Sequence, residues 1–259
     1  MAGPTTQACC KAWGMNNTRS NSDFAYVLHS VPYKETSLIV ELFCKEYGRL
    51  PVVAKGAKRP HSGLRAVLVS FQPLMVRFTG KSDVKTLTQA EWQGGLMSPD
   101  GKALFAAYYL NELLMRGLSR EDSHPELFDL YQDTLVGLSA GDDMNVCVRQ
   151  FEVGLLQALG YGFDWQHDAK GNQISPESEY LWLDQQGWVH PSSGGSVNEL
   201  SGGAVDQLVK GQSIVEIQQG LWSKASASVF KPITRKLLMT HVAPNGLMSR
   251  VWMEHLLRT

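Results

Sequence analysis

Long apolar runs are missing from this 259-residue chain: no stretch approaches the roughly 18 consecutive apolar residues that a membrane-spanning helix needs. Residues 1–20 also lack the apolar core of a secretion signal. They scatter Cys9, Cys10 and Trp13 among small polar residues, so residues 1–22 are expected to form a flexible N-terminal tail. Cysteine is scarce as well. Cys9, Cys10, Cys44 and Cys147 show no C-x-x-C spacing, which excludes a secreted disulfide framework and makes the cytoplasm the expected compartment.

Catalytic signatures are equally thin. Gly95 and Gly101-Lys102 superficially suggest a phosphate loop, but five residues separate the glycines where four are needed. Ala103 also stands where a magnesium-binding hydroxyl belongs. His29-Ser30 has no G-x-S-x-G elbow around it. His167, Asp168, Asp184 and His190 fall in one region, at spacings that match no zinc signature, and read as solvated turn residues. The sequence points to no enzyme, and neither a cofactor nor a metal is expected.

Excess charge of one sign is absent too, since the net charge is −1, but that balance conceals a segregation. Residues 45–85 hold 9 basic and 2 acidic side chains, a local +7. Residues 86–200 hold 5 basic against 17 acidic, a local −12, and residues 201–259 return to +4. Screening at physiological salt acts over about 8 Å, so a phosphate backbone responds to the local excess.

The first hundred residues read as a small β domain over residues 23–97. Phe24–His29, Ser37–Cys44, Leu50–Ala54, Leu74–Thr79 and Val84–Gln89 are short apolar or β-branched runs separated by turn residues. Five such strands suit a small closed barrel, of which the OB-fold is the nucleic-acid-binding version. Residues 98–259 read as a helical domain, making the fold class α+β. Ser98 with Pro99 signals the first helix start. Apolar stripes then predict helices from about His124 to Ser139 and Met144 to Leu159. Residues 163–191 form an inserted region with a hairpin of Tyr180–Asp184 and Gly187–His190, followed by a linker at Ser192-Ser193-Gly194-Gly195. Further helices are expected near Val205–Val209, Ser213–Trp222, Val229–Thr240 and Leu247–Leu257.

The basic segment is the feature with chemical content. Lys55, Lys58 and Arg59 fall in a loop between predicted strands, with Arg49 and Arg65 nearby and Lys81 and Lys85 in the last hairpin. Such cations release condensed counterions from a phosphate backbone, and Gly56 permits close backbone approach. Tyr33, Phe71 and Phe78 could stack on bases if they face outward. A basic barrel does not by itself separate DNA from RNA, so an OB-fold RNA-binding or ribosome-associated factor stands as the alternative. Arg149 is the only lysine or arginine between Glu121 and Trp165, and an ion pair with Glu152, Asp142 or Asp143 is its simplest use.

Several segments resemble one family in order along the chain. They are residues 25–37 (AYVLHSVPYKETS), Gly48-Arg49-Leu50, the Ala54–Arg59 loop, Phe71-Gln72-Pro73-Leu74 and Lys85-Thr86-Leu87. Tyr109–Leu114, Arg149-Gln150-Phe151-Glu152, Gly160-Tyr161-Gly162 and Leu247–Arg250 continue the series. This pattern resembles RecO, the bacterial recombination mediators. The resemblance implies an N-terminal OB-fold, binding of single- and double-stranded DNA, and annealing of complementary strands. It also implies partnership with RecR, recognition of the C-terminal tail of the single-stranded DNA-binding protein SSB, and indirect help in loading RecA. For Arg149, with Phe151, it implies a second use: gripping the acidic SSB tail. Many RecO proteins carry a four-cysteine zinc module after the Gly160–Gly162 position, whereas Phe163–His190 contains no cysteine. Trp165, Tyr180, Trp182 and Trp188 are expected to build an aromatic core there instead.

Overall fold

The computed structural model describes residues 21–95, 97–183, 186–191 and 208–249. The expected helix at Val205–Val209, the linker at 192–195 and most of Leu247–Leu257 thus lie wholly or partly outside the described residues. So do residues 1–20 of the expected tail, although Asn21 and Ser22 already pair with Phe78 and Arg77 as the first rungs of strand β1.

Five strands close into a barrel: β1 (Asn21–Tyr33), β2 (Ser37–Cys44), β3 (Gly48–Ala54), β4 (Leu74–Thr79) and β5 (Lys85–Trp92), in the order β1-β2-β3-β5-β4. Only β3–β5 is parallel, and the five-residue helix α1 (Gly63–Val67) lies between β3 and β4. That connectivity is an OB-fold, a choice that periodicity alone could not make.

Ala25, Tyr26, Val27 and Leu28 are all buried, because the strand is covered on both faces. Alternate side chains point to opposite faces of a strand. Ala25 and Val27 therefore enter the barrel core with Leu42 and Cys44, while Tyr26 and Leu28 join Phe43 in the core of the helical layer.

That layer consists of α2 (Gly101–Gly117), α3 (Pro125–Ala140), α4 (Met144–Ala158), α5 (Gly211–Gln218) and α6 (Lys224–His241). Helix α4 is central, with α2, α3 and α6 packed on it. A small sheet, β6 (Glu179–Leu183), β7 (Gly187–Val189) and β8 (Val209–Lys210), is ordered β7-β6-β8. Among the described residues, no helix is long and apolar enough to cross a membrane.

Several boundaries differ from the sequence expectation; β1 runs on to Tyr33, four residues past the expected end, and α5 stops at Gln218, four residues short of it. Asp100, not Ser98, takes the N-cap position of helix α2, without a side-chain capping bond, and the Ser98 hydroxyl instead accepts from Gln72 Nε2 at 2.7 Å and ties the connection to the barrel. Val209, expected to end a helix, pairs with Tyr180 as the β8 strand. Helix α6 begins five residues before Val229 because Ser223 and Ser226 form a reciprocal cap.

Candidate nucleic-acid interface

The basic loop is built by the end of the β2–β3 ladder. After Leu38 pairs with Ala54, Gly56 turns the chain at φ +72°, and the buried Ala57 plugs the barrel. The Lys58 N–H then donates to the Thr36 carbonyl at 2.9 Å, docking the loop on the β1–β2 turn. With Ala57 inward, Lys55, Lys58 and Arg59 face solvent, and Arg65 follows, exposed, on α1. The adjoining turn adds Tyr33 and Lys34, whose ammonium lies 5.3 Å from the Tyr33 ring centre. Sequence reasoning missed Lys34; its one signal was its place in the turn beside the basic loop. Among the described residues, Lys55, Lys58, Arg59, Arg65 and Lys81 enter no ion pair.

Arg49 and Lys85 are placed differently. The Arg49 guanidinium donates to the Met115 carbonyl at the end of α2, and burial, with Arg120 nearby, depresses its pKa against the opposing pull of Glu41. Lys85 Nζ meets Glu121 at 2.7 Å, while the Glu121 N–H donates to the Arg49 carbonyl at 2.9 Å. Arg120 completes the group on Glu41 at 2.5 Å. These cations fasten the barrel to the α2–α3 connection. The register also sets Lys85 beside Val52, three residues and roughly 10 Å of strand from Lys55.

The three aromatic residues divide as well. Phe71 and Phe78 are 2% and 1% exposed, so neither faces outward to stack on bases; they pack edge-on against Tyr108 and Tyr47. Both occupy inward positions of the two cores. Only Tyr33, 37% exposed, presents a ring.

Polar groups inside the helical layer form two networks. Arg149 is buried, bridging Glu152 and the Thr234 hydroxyl, and Tyr109 donates to the other Glu152 oxygen at 2.6 Å. Phe151 is fully buried against Tyr131. An incoming carboxylate would have to displace Glu152 to reach the Arg149 fork. In the second network Asn111 donates to the Leu28 carbonyl at 2.9 Å and accepts from Tyr131 at 2.6 Å, joining barrel to helices. Tyr26, donating to Gln132, has its pKa pushed up to about 12 by burial and by Asp133. On the outside of α2, Glu112 accepts from the Met248 and Ser249 N–H groups at 2.9 and 2.8 Å and from the Ser249 hydroxyl at 2.7 Å. Burial alone would raise its pKa, but these bonds and Arg116 hold it below the usual carboxylate value.

Two family models meet this architecture at its natural seam. Recombination protein O N terminal matches residues 17–95, and Recombination protein O C terminal matches residues 98–250. The chain belongs to the RecO family. It is 41% identical over 240 residues to the DNA repair protein RecO of Dechloromonas aromatica (strain RCB), covering 90% of this chain and 96% of that one. The corresponding protein of Azoarcus sp. (strain BH72) is 39% identical over 243 residues, covering 92% and 97%. In this RecO-family DNA repair protein, residues that carried the resemblance prove to be joints. Gly48-Arg49, Asn111-Glu112 and Met248-Ser249 hold parts of the chain together. The RecO zinc module does not fit here: among the described residues no cluster of three or more His, Cys, Asp or Glu could hold a metal. Phe163, Trp182, Trp188 and Phe230 pack ring to ring in that region, joined by Trp165.

Proposed function

We propose that this protein binds single- and double-stranded DNA through the exposed end of its barrel, anneals complementary strands, and acts with RecR and SSB to load RecA. The observation that carries the reading is the cation group Lys55, Lys58 and Arg59, which enters no ion pair among the described residues and is docked on the turn bearing Tyr33 and Lys34. Five solvent-facing groups on one barrel end suit a phosphate backbone gripped without a fixed sequence register. Arg65 extends the surface and Arg49 and Lys85 support it from behind, whereas Lys81, in the β4–β5 turn before Lys85, falls toward the Gly48 end of β3 and outside this group. The acidic helical layer repels DNA and so keeps the strands on the barrel side, leaving the helices for protein partners such as RecR and the SSB tail. Annealing follows because a surface that neutralises two polyanions lowers their mutual repulsion. For the SSB tail, Arg149 and Phe151 remain the residues that family resemblance suggests, reached by opening the Glu152 contact.

Strand-annealing and salt-titrated anisotropy assays, on DNA and on RNA and with and without SSB, test this reading. Replacing Lys55, Lys58 and Arg59 with alanine is expected to shallow the salt dependence by about 0.7–0.9 log units per decade for each phosphate that the variant no longer neutralises. Wild-type affinity and slope in that variant would move DNA binding elsewhere, with Lys231, Arg235 and Lys236 on α6 the next candidates.

A further inference from the structure

The helical layer has a recessed surface that the DNA reading does not use. By helical spacing, Cys147, Gln150 and Gly154 share one stripe of α4, roughly opposite Arg149 and Glu152. That stripe floors a hollow of about 400 Å³ between α3, α4 and the α5–α6 connection. Through Trp165 and Gln218 it continues into a second hollow of about 580 Å³ beside Ile174 and Pro176.

The floor is tight and the walls are firmly backed. A Cβ on Gly154 would fall 2.2 Å from Leu130, so α3 and α4 close the bottom in direct contact. Trp165 and Trp222 flank the first hollow, and both rest on the fully buried Phe230, with ring centres 5.9 and 6.2 Å away. Asp133 and Asp142 line the same hollow. Both are exposed, and among the described residues neither enters an ion pair. Gln150, Gln166, Gln173 and Gln218 supply neutral amides, while among the described residues no lysine, arginine or histidine lines either hollow.

This lining selects its occupant. A nucleic acid or an acidic tail would meet two uncompensated carboxylates and no cation, so it is disfavoured. Paired indole walls desolvate a large apolar side chain and also accept a guanidinium or ammonium over the ring. Side-chain amides can pair with the donors and acceptors of a peptide backbone. We propose that this groove docks a basic peptide segment of a partner protein. An aromatic or aliphatic anchor enters between Trp165 and Trp222, and a neighbouring lysine or arginine meets Asp133 and Asp142. The groove and the basic barrel end are separate surfaces of opposite charge, so the protein can hold DNA and this partner together.

Anisotropy on the intact chain tests the assignment with two fluorescein-labelled peptides of equal length. One alternates lysine and leucine around a central tryptophan; the other replaces every lysine with glutamate. The basic peptide is expected to bind and the acidic one not. Asp133→Asn with Asp142→Asn should weaken binding about tenfold, the scale of two partly exposed ion pairs. Gln150→Lys, which sets a cation in the floor, should weaken it at least as much. Glu35→Gln with Glu46→Gln makes the same charge change in the barrel turns and should leave affinity unchanged. Equal losses in both double variants would overturn the proposal by showing unspecific charge attraction. Preferential binding of the acidic peptide would overturn it by giving the groove to an acidic tail. Thermal melts of each variant, expected to match the parent, keep a folding defect from passing as either result.

Discussion

The two sides of the barrel carry the same kinds of cation and use them for different work. On the side facing the helices, Lys45 meets Asp129 at 2.7 Å, Lys85 meets Glu121 at 2.7 Å, and Arg49 caps the end of α2. On the end away from them, Lys55, Lys58 and Arg59 meet no acid among the described residues. Residue type does not separate the groups; the reach of the acidic helical layer does. The local +7 of residues 45–85 is therefore shared between holding two domains together and presenting charge to solvent.

Variants can sharpen that division, and the largest effect is expected where a charge is most deeply enclosed. Arg149→Ala leaves Glu152, 1% exposed, without its cation, and should destabilise by about 3–5 kcal/mol in urea unfolding. Stability equal to the parent would mean that Arg149 behaves as a surface group, and the contrast between enclosed and exposed charge would collapse. Next comes Gly48→Ala at the seam. Gly48 has φ +65°, and an added Cβ would meet the Asp122 carbonyl oxygen at 1.8 Å, so a destabilisation of about 1–3 kcal/mol is expected.

A smaller and more discriminating pair compares the two cation groups directly. Alanine at Lys55, Lys58 and Arg59 should reduce the salt slope of DNA binding and leave the unfolding midpoint in place. Alanine at Lys45 and Lys85 should do the reverse, lowering stability by up to about 1 kcal/mol per pair with little change in slope. Identical slopes in the two variants would erase the distinction between the barrel's sides.

The smallest expected effect concerns acid. The Glu112 pKa is lowered in the folded state, so its stabilisation is complete above the unfolded carboxylate value, about 4.3. It is lost as pH falls through the lower folded value. Glu112→Gln should therefore flatten the fall in stability below about pH 4. An unchanged acid limb in urea titrations would show that the tie to Met248 and Ser249 adds no pH-dependent stability.

Much of this architecture was legible because strands and helices write their burial into local spacing. Ser37–Cys44 and Leu74–Thr79 have the bounds expected from their apolar runs, and α4 ends one residue from its forecast. What was not legible depends on tertiary neighbours. Ser98 looks like a helix cap until Gln72 from the barrel claims its hydroxyl. Phe71 and Phe78 look like stacking platforms until two separate cores receive them. Within the basic segment, sequence gives the sign of each charge and not its partner. Glu121 and Met115, which engage Lys85 and Arg49, lie 36 and 66 residues away.

The grip of Glu112 on Ser249 also bears on how the molecule is made. The two residues are 137 positions apart, so a ribosome working at about 5–20 residues per second needs on the order of 10 s between them. Throughout that interval the outer side of α2 has its acceptor exposed and no segment to receive. The barrel, whose strand ladders are all complete by Trp92, can close well before this. Nascent chains should thus pass through a stage with a finished barrel and an unsealed helical layer, when the apolar surface of that layer is most open to misassociation.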